Sequence, residues 1–149
     1  MALLKIGEKA PQFSGSDQNG NTISLKDFKG SKLVVYFYPK DNTPGCTIEA
    51  CQLRDHFDEL REKMEVIGVS HDKIESHARF VSKYKLPYTL LSDPDKEIIK
   101  AYGAKGFLFT KRISYLINPE GKIAKIYLNV SPKKHAKEIL EDFEKLTAR

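Results

Sequence analysis

Leu33-Val-Val-Tyr-Phe-Tyr38 is apolar at every position. A strand with one wet face alternates, so an unbroken run demands cover on both faces, as in the middle of a parallel sheet. Pro39 ends the run, and Thr43-Pro44-Gly45 opens a helix. Thr is a good N-cap and Pro is favoured at the first helical position. A cap at Asp41 or Asn42 would shift the register but keep Cys46 in the first turn. A second apolar run, Val66-Ile-Gly-Val69, follows that helix. Strand, helix and strand in one sheet make a right-handed βαβ unit, and the rest of the chain must pack around it.

The flanking segments complete a mixed sheet. Asn19-Gly20 is a hairpin-turn signal between Phe13 and Thr22-Ile23-Ser24, and Ser24 can cap a single turn through Asp27-Phe28. The Cys46 helix is expected to run to about Lys63. Ser70-His-Asp72 then caps a helix with Ile74, Ala78, Val81 and Tyr84 on one face. Tyr88 to Leu91 is a short strand, and Ser92-Asp-Pro94 begins a helix with Ile98 and Tyr102 inward. A loop from Gly103 to Lys111 carries Phe107, Leu108 and Phe109. Ile113–Ile117 and Ile123–Tyr127 pair antiparallel across Asn118-Pro-Glu-Gly121. Ser131-Pro132 caps a last helix whose inner face is Ala136, Ile139, Leu140, Phe143 and Leu146. The expected fold is α/β and thioredoxin-like, with a mixed central sheet, helices on both faces and an N-terminal β-hairpin extension. Residues 1–149 fit a single domain with a sizeable core.

Several function classes are disfavoured. The net charge of +5 is dispersed, and Lys133-Lys-His-Ala-Lys-Glu-Ile-Leu-Glu-Asp reads as a solvated helix face rather than a phosphate-binding stripe. No nucleic-acid partner is expected. No apolar run approaches ~20 residues, so no membrane span is expected. Lys5 and Glu8 interrupt any signal-peptide core, which points to the cytoplasm. Two cysteines make no disulfide framework. His56, His71, His77 and His135 have no zinc-ligand spacing, so no metal is expected.

Cys46 falls at the third helical position. Unpaired N–H groups and the positive end of the helix dipole favour an anion there, and a thiolate is one. At ~100° per residue, Cys46, Ala50, Leu53, Phe57, Leu60 and Met64 share one stripe. Cys46 therefore extends the core face to the end of a pocket, while Cys51, rotated by ~140°, lies off it.

Pro39-x3-Thr43-x2-Cys46 resembles the active-site signature of peroxiredoxins. The longer string Tyr-Phe-Tyr-Pro-x3-Thr-Pro-Gly-Cys-Thr-x-Glu-Ala-Cys is similar to that of the bacterioferritin comigratory protein, or Q-type, branch. The likeness covers nearly the whole chain and includes Ala10-Pro11-x-Phe13, Leu53-Arg-Asp55, Leu90-Leu-Ser-Asp93 and Arg112-Ile-Ser-Tyr-Leu-Ile117. It implies a thiol peroxidase without metal or organic cofactor. Cys46 matches the peroxidatic cysteine and Cys51 the resolving one. Thr43 matches the hydroxyl that contacts thiolate and peroxide, Pro39 the proline that shields the pocket, and Arg112 the arginine beside the thiolate. The implied substrates are hydrogen peroxide and organic hydroperoxides. The implied reductant is thioredoxin or a similar dithiol protein, and the chain is expected to be a monomer or weak homodimer. The segment from Gly103 to Arg112 is shorter than is usual in this branch and lacks its frequent tryptophan. Leu-Ile-Asn118 replaces the common Leu-Ile-Asp.

Glu49 and Arg54 read as solvated or locally paired, and Ile48 as part of an outward patch where a reductant could dock. Two other functions fit the same residues. One is a dithiol–disulfide oxidoreductase, which would want Cys-x2-Cys. The other is a redox-switched binding or holdase protein, in which Cys46–Cys51 oxidation exposes a surface.

Overall fold

The computed structural model describes residues 4–147, without the side chains of 144–147. The Leu146 side chain and the first three residues of the N-terminal segment lie outside the described set. Seven strands are named in chain order: β1 Ser14–Asp17, β2 Thr22–Ser24, β3 Leu33–Phe37, β4 Glu65–Ser70, β5 Thr89–Ser92, β6 Ile113–Ile117 and β7 Ile123–Tyr127. The helices are α1 Pro44–Asp55, α2 Phe57–Leu60, α3 Ile74–Tyr84, α4 Glu97–Ala101 and α5 His135–Thr147. The strands form one sheet in the order β2-β1-β5-β4-β3-β6-β7. β3–β4 and β4–β5 are parallel, and the other pairs are antiparallel.

The apolar run behaves as its composition demands. β3 is central, and its side chains divide between two cores. Leu33, Val35 and Phe37 face Ile98, Ile99 and Tyr102 on the α4 side. Val34, Tyr36 and Tyr38 face Cys46, Ala50, Leu53, Phe80 and Ile139, from α1, α3 and α5. Gly68 in β4 serves this second core. A Cβ there would stand 2.7 Å from the Tyr36 ring, closer than packed carbons approach. The N-terminal hairpin turns at Gly20 (φ +83°) and joins β5 through two residue pairs. Ser24 is the N-cap, as expected, of a 3₁₀ turn, Leu25–Phe28, and its N–H donates to the Asp27 carboxylate at 2.8 Å.

Four local expectations are corrected. The helix from Pro44 stops at Asp55, because His56 takes φ −102°, ψ 8°, and α2 starts afresh at Phe57. Leu60 and Met64 are still buried, so the apolar stripe continues across the break. Lys73, not Asp72, is the N-cap of α3, and the residues of that helix buried most deeply are His77 and Phe80. The stripe of Ile74, Ala78, Val81 and Tyr84 lies beside them, less deeply buried. α4 begins only at Glu97, where the Asp93 carboxylate accepts the Ile99 N–H at 2.8 Å. Finally, the stretch 133–142 is not wholly solvated. His135 is buried, bonded to Ser114 Oγ at 2.8 Å and to Glu138 at 3.1 Å. Burial pulls its pKa down, against the pull of Glu138. Asp142 is buried too, accepting the Tyr127 hydroxyl at 2.8 Å.

Candidate active site

Thr43 is the N-cap of α1, with extended φ −90° and ψ 157°, and Pro44 follows at the first helical position. Its carbonyl accepts the Thr47 N–H at 2.8 Å. Its hydroxyl does not cap the helix; it donates to the Lys40 carbonyl at 2.8 Å. The first helical N–H groups therefore keep their positive end toward the region where Cys46 sits. Cys46 is 1% exposed and continues the buried line of Ala50 and Leu53.

Arg112 reaches this corner because of strand direction. It precedes β6, which runs antiparallel to β3 and pairs Ile113 with Phe37. The start of β6 thus lies beside the end of β3, where the loop to α1 departs. One guanidinium nitrogen donates to Cys46 Sγ at 3.3 Å and the other to Glu49 Oε1 at 2.7 Å. The contact gives the buried sulfur a charged hydrogen-bond donor. Gly45 leaves room for this reach, since a Cβ there would lie 3.0 Å from Arg112 Nη2.

The expectation of a solvated or locally paired Glu49 is overturned. Its carboxylate is fully buried, with one oxygen on Arg112 and Oε2 without a partner. The sequence does carry a signal: position 49 is one helical turn from Cys46, and a carboxylate beside an apolar stripe needs a cation. Burial raises the Glu49 carboxyl to about 7 from an ordinary 4.5, against the opposing pull of Arg112. Burial lowers the guanidinium's own pKa, but Glu49 and Cys46 more than offset this.

The sign of the resulting pH effect follows. Below pH 4.5 both folded and unfolded chains hold the Glu49 proton. Between about 4.5 and 7 only the unfolded chain releases it, so stability from this group falls as pH rises and levels off above about 7. Glu49→Gln should remove this slope. Urea unfolding at pH 5 and pH 8 should show the variant gaining on the wild type by roughly 2–3 kcal/mol. A difference independent of pH would mean that Glu49 ionises in the fold as freely as in water.

Pro39, Thr43, Gly45 and Arg112 line one cleft of about 520 Å³, closed on another side by Leu108 and Phe109. The short 103–111 segment supplies that wall by folding back on itself, with Lys105 bridged to Thr110. A Cβ on Gly106 would meet the Phe109 carbonyl at 2.2 Å, so only glycine permits the turn. Cys51 lies in α1 away from the cleft, half-buried and, like Cys46, a free thiol. Partial burial pushes its pKa up, with Arg54 opposing and Asp55 adding. Arg54 is locally paired, as expected, with Asp55 at 3.0 Å. Ile48 is exposed. No helix among the described residues is long and apolar enough to cross a membrane.

Residues 6–126 match the family model described as the AhpC/TSA family. Peroxiredoxin Bcp of Escherichia coli K12 is 43% identical over 144 residues, covering 91% of this chain and 92% of that protein. The chloroplastic peroxiredoxin Q of Gentiana triflora is 44% identical over 145 residues, covering 94% of this chain and 67% of that protein. Among solved structures, a cysteine-to-serine mutant of Xylella fastidiosa PrxQ superposes with a TM-score of 0.91 at 27% identity, covering 99% of both chains. The bacterioferritin comigratory protein of Xanthomonas campestris gives 0.84 at 29% identity over 89% of this chain and 90% of that one. With the sheet order, the buried thiol and the cleft already described, these likenesses show that the chain belongs to the AhpC/TSA family, and within it to the Bcp or Q-type peroxiredoxins, enzymes that reduce peroxides with a cysteine thiol.

Proposed function

We propose that Cys46 is the peroxidatic residue, that Cys51 resolves it, and that a thioredoxin-like dithiol protein completes the cycle. The observation that carries this reading is the Arg112 guanidinium donating to a buried sulfur at the N-terminus of α1. The Cys46 thiolate attacks one oxygen of a hydroperoxide. An S–O bond forms, the O–O bond breaks, and the departing alkoxide or hydroxide takes up a proton to leave as alcohol or water. Arg112 and the helix N–H groups stabilise charge spreading along the S–O–O line. Thr43 has given its hydrogen to Lys40, so its oxygen is an acceptor for the hydroperoxide O–H. Pro39 walls the cleft against water.

The product is a Cys46 sulfenic acid, two electrons more oxidised than the thiol. Attack by the Cys51 sulfur forms the S–S bond and releases water. A partner dithiol then reduces the disulfide, and the exposed Ile48 is where it would dock. Partial burial raises the pKa of Cys51 and favours its protonated form. The chain would work as a monomer or weak homodimer in the reducing cytoplasm.

The test is a coupled assay with thioredoxin, thioredoxin reductase and NADPH, run against hydrogen peroxide, cumene hydroperoxide and a fatty-acid hydroperoxide. Multiple turnovers with NADPH oxidation are expected. Insulin reduction without peroxide consumption would instead indicate a disulfide oxidoreductase. A single stoichiometric oxidation without turnover would indicate a redox-switched binding protein.

A further inference from the structure

The loop between β3 and α1 carries Pro39 and Thr43, and it is tied down from outside the cleft. Asp41, in its middle, is 6% exposed. Asp41 Oδ1 accepts the Tyr38 hydroxyl at 2.6 Å. Oδ2 accepts the Ser76 hydroxyl at 2.8 Å and faces His77 Nδ1 at 2.7 Å. The Asp41 N–H donates to Asp72 Oδ2 at 2.8 Å, and the Ser70 hydroxyl donates to the same oxygen at 2.6 Å. Asn42, at φ +61°, accepts from Lys83 and Tyr84 of α3.

His77 is a fully buried titratable member of this set, and the peroxidase mechanism does not use it. Its Nε2 lies 3.0 Å from the Leu91 carbonyl, which can only accept, so Nε2 carries a hydrogen. Its Nδ1 faces a carboxylate oxygen. Without a hydrogen between them, two lone pairs would meet, so the pair holds one there. Asp41, Asp72 and His77 present nitrogen and oxygen atoms within 4.8 Å of one another, yet each already bonds another protein group. The cluster is complete as a hydrogen-bond network and needs no cation.

The network ends at the cleft. The Lys40 carbonyl shares a peptide unit with the Asp41 N–H, which Asp72 holds at 2.8 Å, so the bonds on the Asp41 side chain and N–H together orient that carbonyl, and it takes the Thr43 hydroxyl hydrogen at 2.8 Å. We propose that His77 is a positioning residue for Thr43. Through Asp41 and the Lys40 carbonyl, it holds the Thr43 oxygen with its lone pairs toward the cleft, ready to accept the hydroperoxide O–H. This rests on the peroxidase reading of Cys46 and Thr43. Arg112, just before β6, and Glu49 in α1 serve the sulfur side through bonds of their own. Losing His77 therefore slows a reagent that needs the Thr43 oxygen and spares one that does not.

The experiment compares two reactions of Cys46 in the full chain at pH 7: the first turnover with hydrogen peroxide and alkylation by iodoacetamide. Melting temperatures are recorded alongside. His77→Leu and Asp41→Ala should slow the peroxide reaction about tenfold or more, with alkylation within about twofold of wild type. Asp41→Asn supplies an amide donor to a neutral His77 Nδ1 and keeps the Tyr38 bond. It should retain most of the peroxide rate. A folded His77→Leu protein with the wild-type peroxide rate would overturn the proposal, and so would a parallel fall in both reactions. If His77→Leu does not fold, the Asp41 pair decides: equal peroxide rates in Asp41→Asn and Asp41→Ala would overturn it. Failure of the wild type itself to react with peroxide would refute the peroxidase reading instead.

Discussion

Cys46→Ser should reduce peroxide consumption to the uncatalysed rate, whereas Cys51→Ser should complete one fast turnover per chain and then stall. The two thiols differ in every respect that bears on attack. Cys46 is buried at the first turn of α1, with a guanidinium nitrogen at 3.3 Å. Cys51 is half-buried on another side of the helix, and its own pKa is raised. Removing the nucleophile removes the covalent path altogether. Removing the second thiol leaves that path intact but strands the sulfenic acid, which a dimedone-type reagent should label once per chain. Stopped-flow mixing with one equivalent of peroxide separates the cases, because only the first turnover is being compared. Equal loss of that turnover in both variants would contradict the assignment, and so would dimedone labelling at residue 51 in the wild type.

Disulfide formation should melt most of α1. The helix is continuous from Pro44 to Asp55 and contains both cysteines. Residues five apart on an intact helix have Cα atoms ~8.7 Å apart, with side chains ~140° apart around the axis. A disulfide needs roughly 4.4–6.8 Å and converging Cβ atoms. The bond therefore cannot form until the turns between the cysteines open. The structure shows what must be released. The Tyr88 hydroxyl donates to the Ala50 carbonyl at 3.0 Å, and the Tyr36 hydroxyl stands 2.9 Å behind it. Tyr88 has one hydrogen, so Tyr36 supplies the other. Beyond this point Leu53 is fully buried and Arg54 donates to the Tyr84 carbonyl at 2.8 Å, which anchors the remainder. On oxidation, amide-exchange protection should be lost across 44–53 and kept from about 55 onward, with a matching loss of far-UV helical signal. Tyr88→Phe removes one hydrogen bond and should speed ring closure about fivefold. An oxidised structure with the 46–51 bond formed and α1 unbroken from Pro44 would sink this mechanism.

What can be read from sequence follows the range of the forces involved. The corner of β3 and α1 is written in adjacent residues: an apolar run, a terminating proline, a cap and a helix-initiating proline. Such local rules hold wherever the segment ends up. The pairing of Cys46 with Arg112 has no local signature. It depends on β6 running antiparallel beside β3, and only the resemblance to peroxiredoxins brings Arg112 forward. Glu49 and His77 escape a sequence reading for one shared reason. Each lies beside an apolar helical stripe, and each is stabilised by a partner 63 or 36 positions away. Periodicity marks a polar residue in that position as an exception without saying what answers it. The break at His56 is equally hidden, because the stripe of Leu53, Leu60 and Met64 stays in phase across it.

Gly45 sets the stability of the first turn of α1 against the reach of Arg112. Within a helix, alanine would be favoured over glycine by roughly 1 kcal/mol, so selection for stability alone would replace it. Here the added methyl group would stand 3.0 Å from the guanidinium nitrogen that serves Cys46, and the same guanidinium is held on its other side by Glu49. The same glycine weakens the turn that must open for the disulfide to close. A chain improved for thermal robustness by the usual helix-favouring substitutions would be drawn toward Gly45→Ala, which would press the Arg112 guanidinium away by a few tenths of an ångström and stiffen the turn that must open. Stability and turnover compete at this one position.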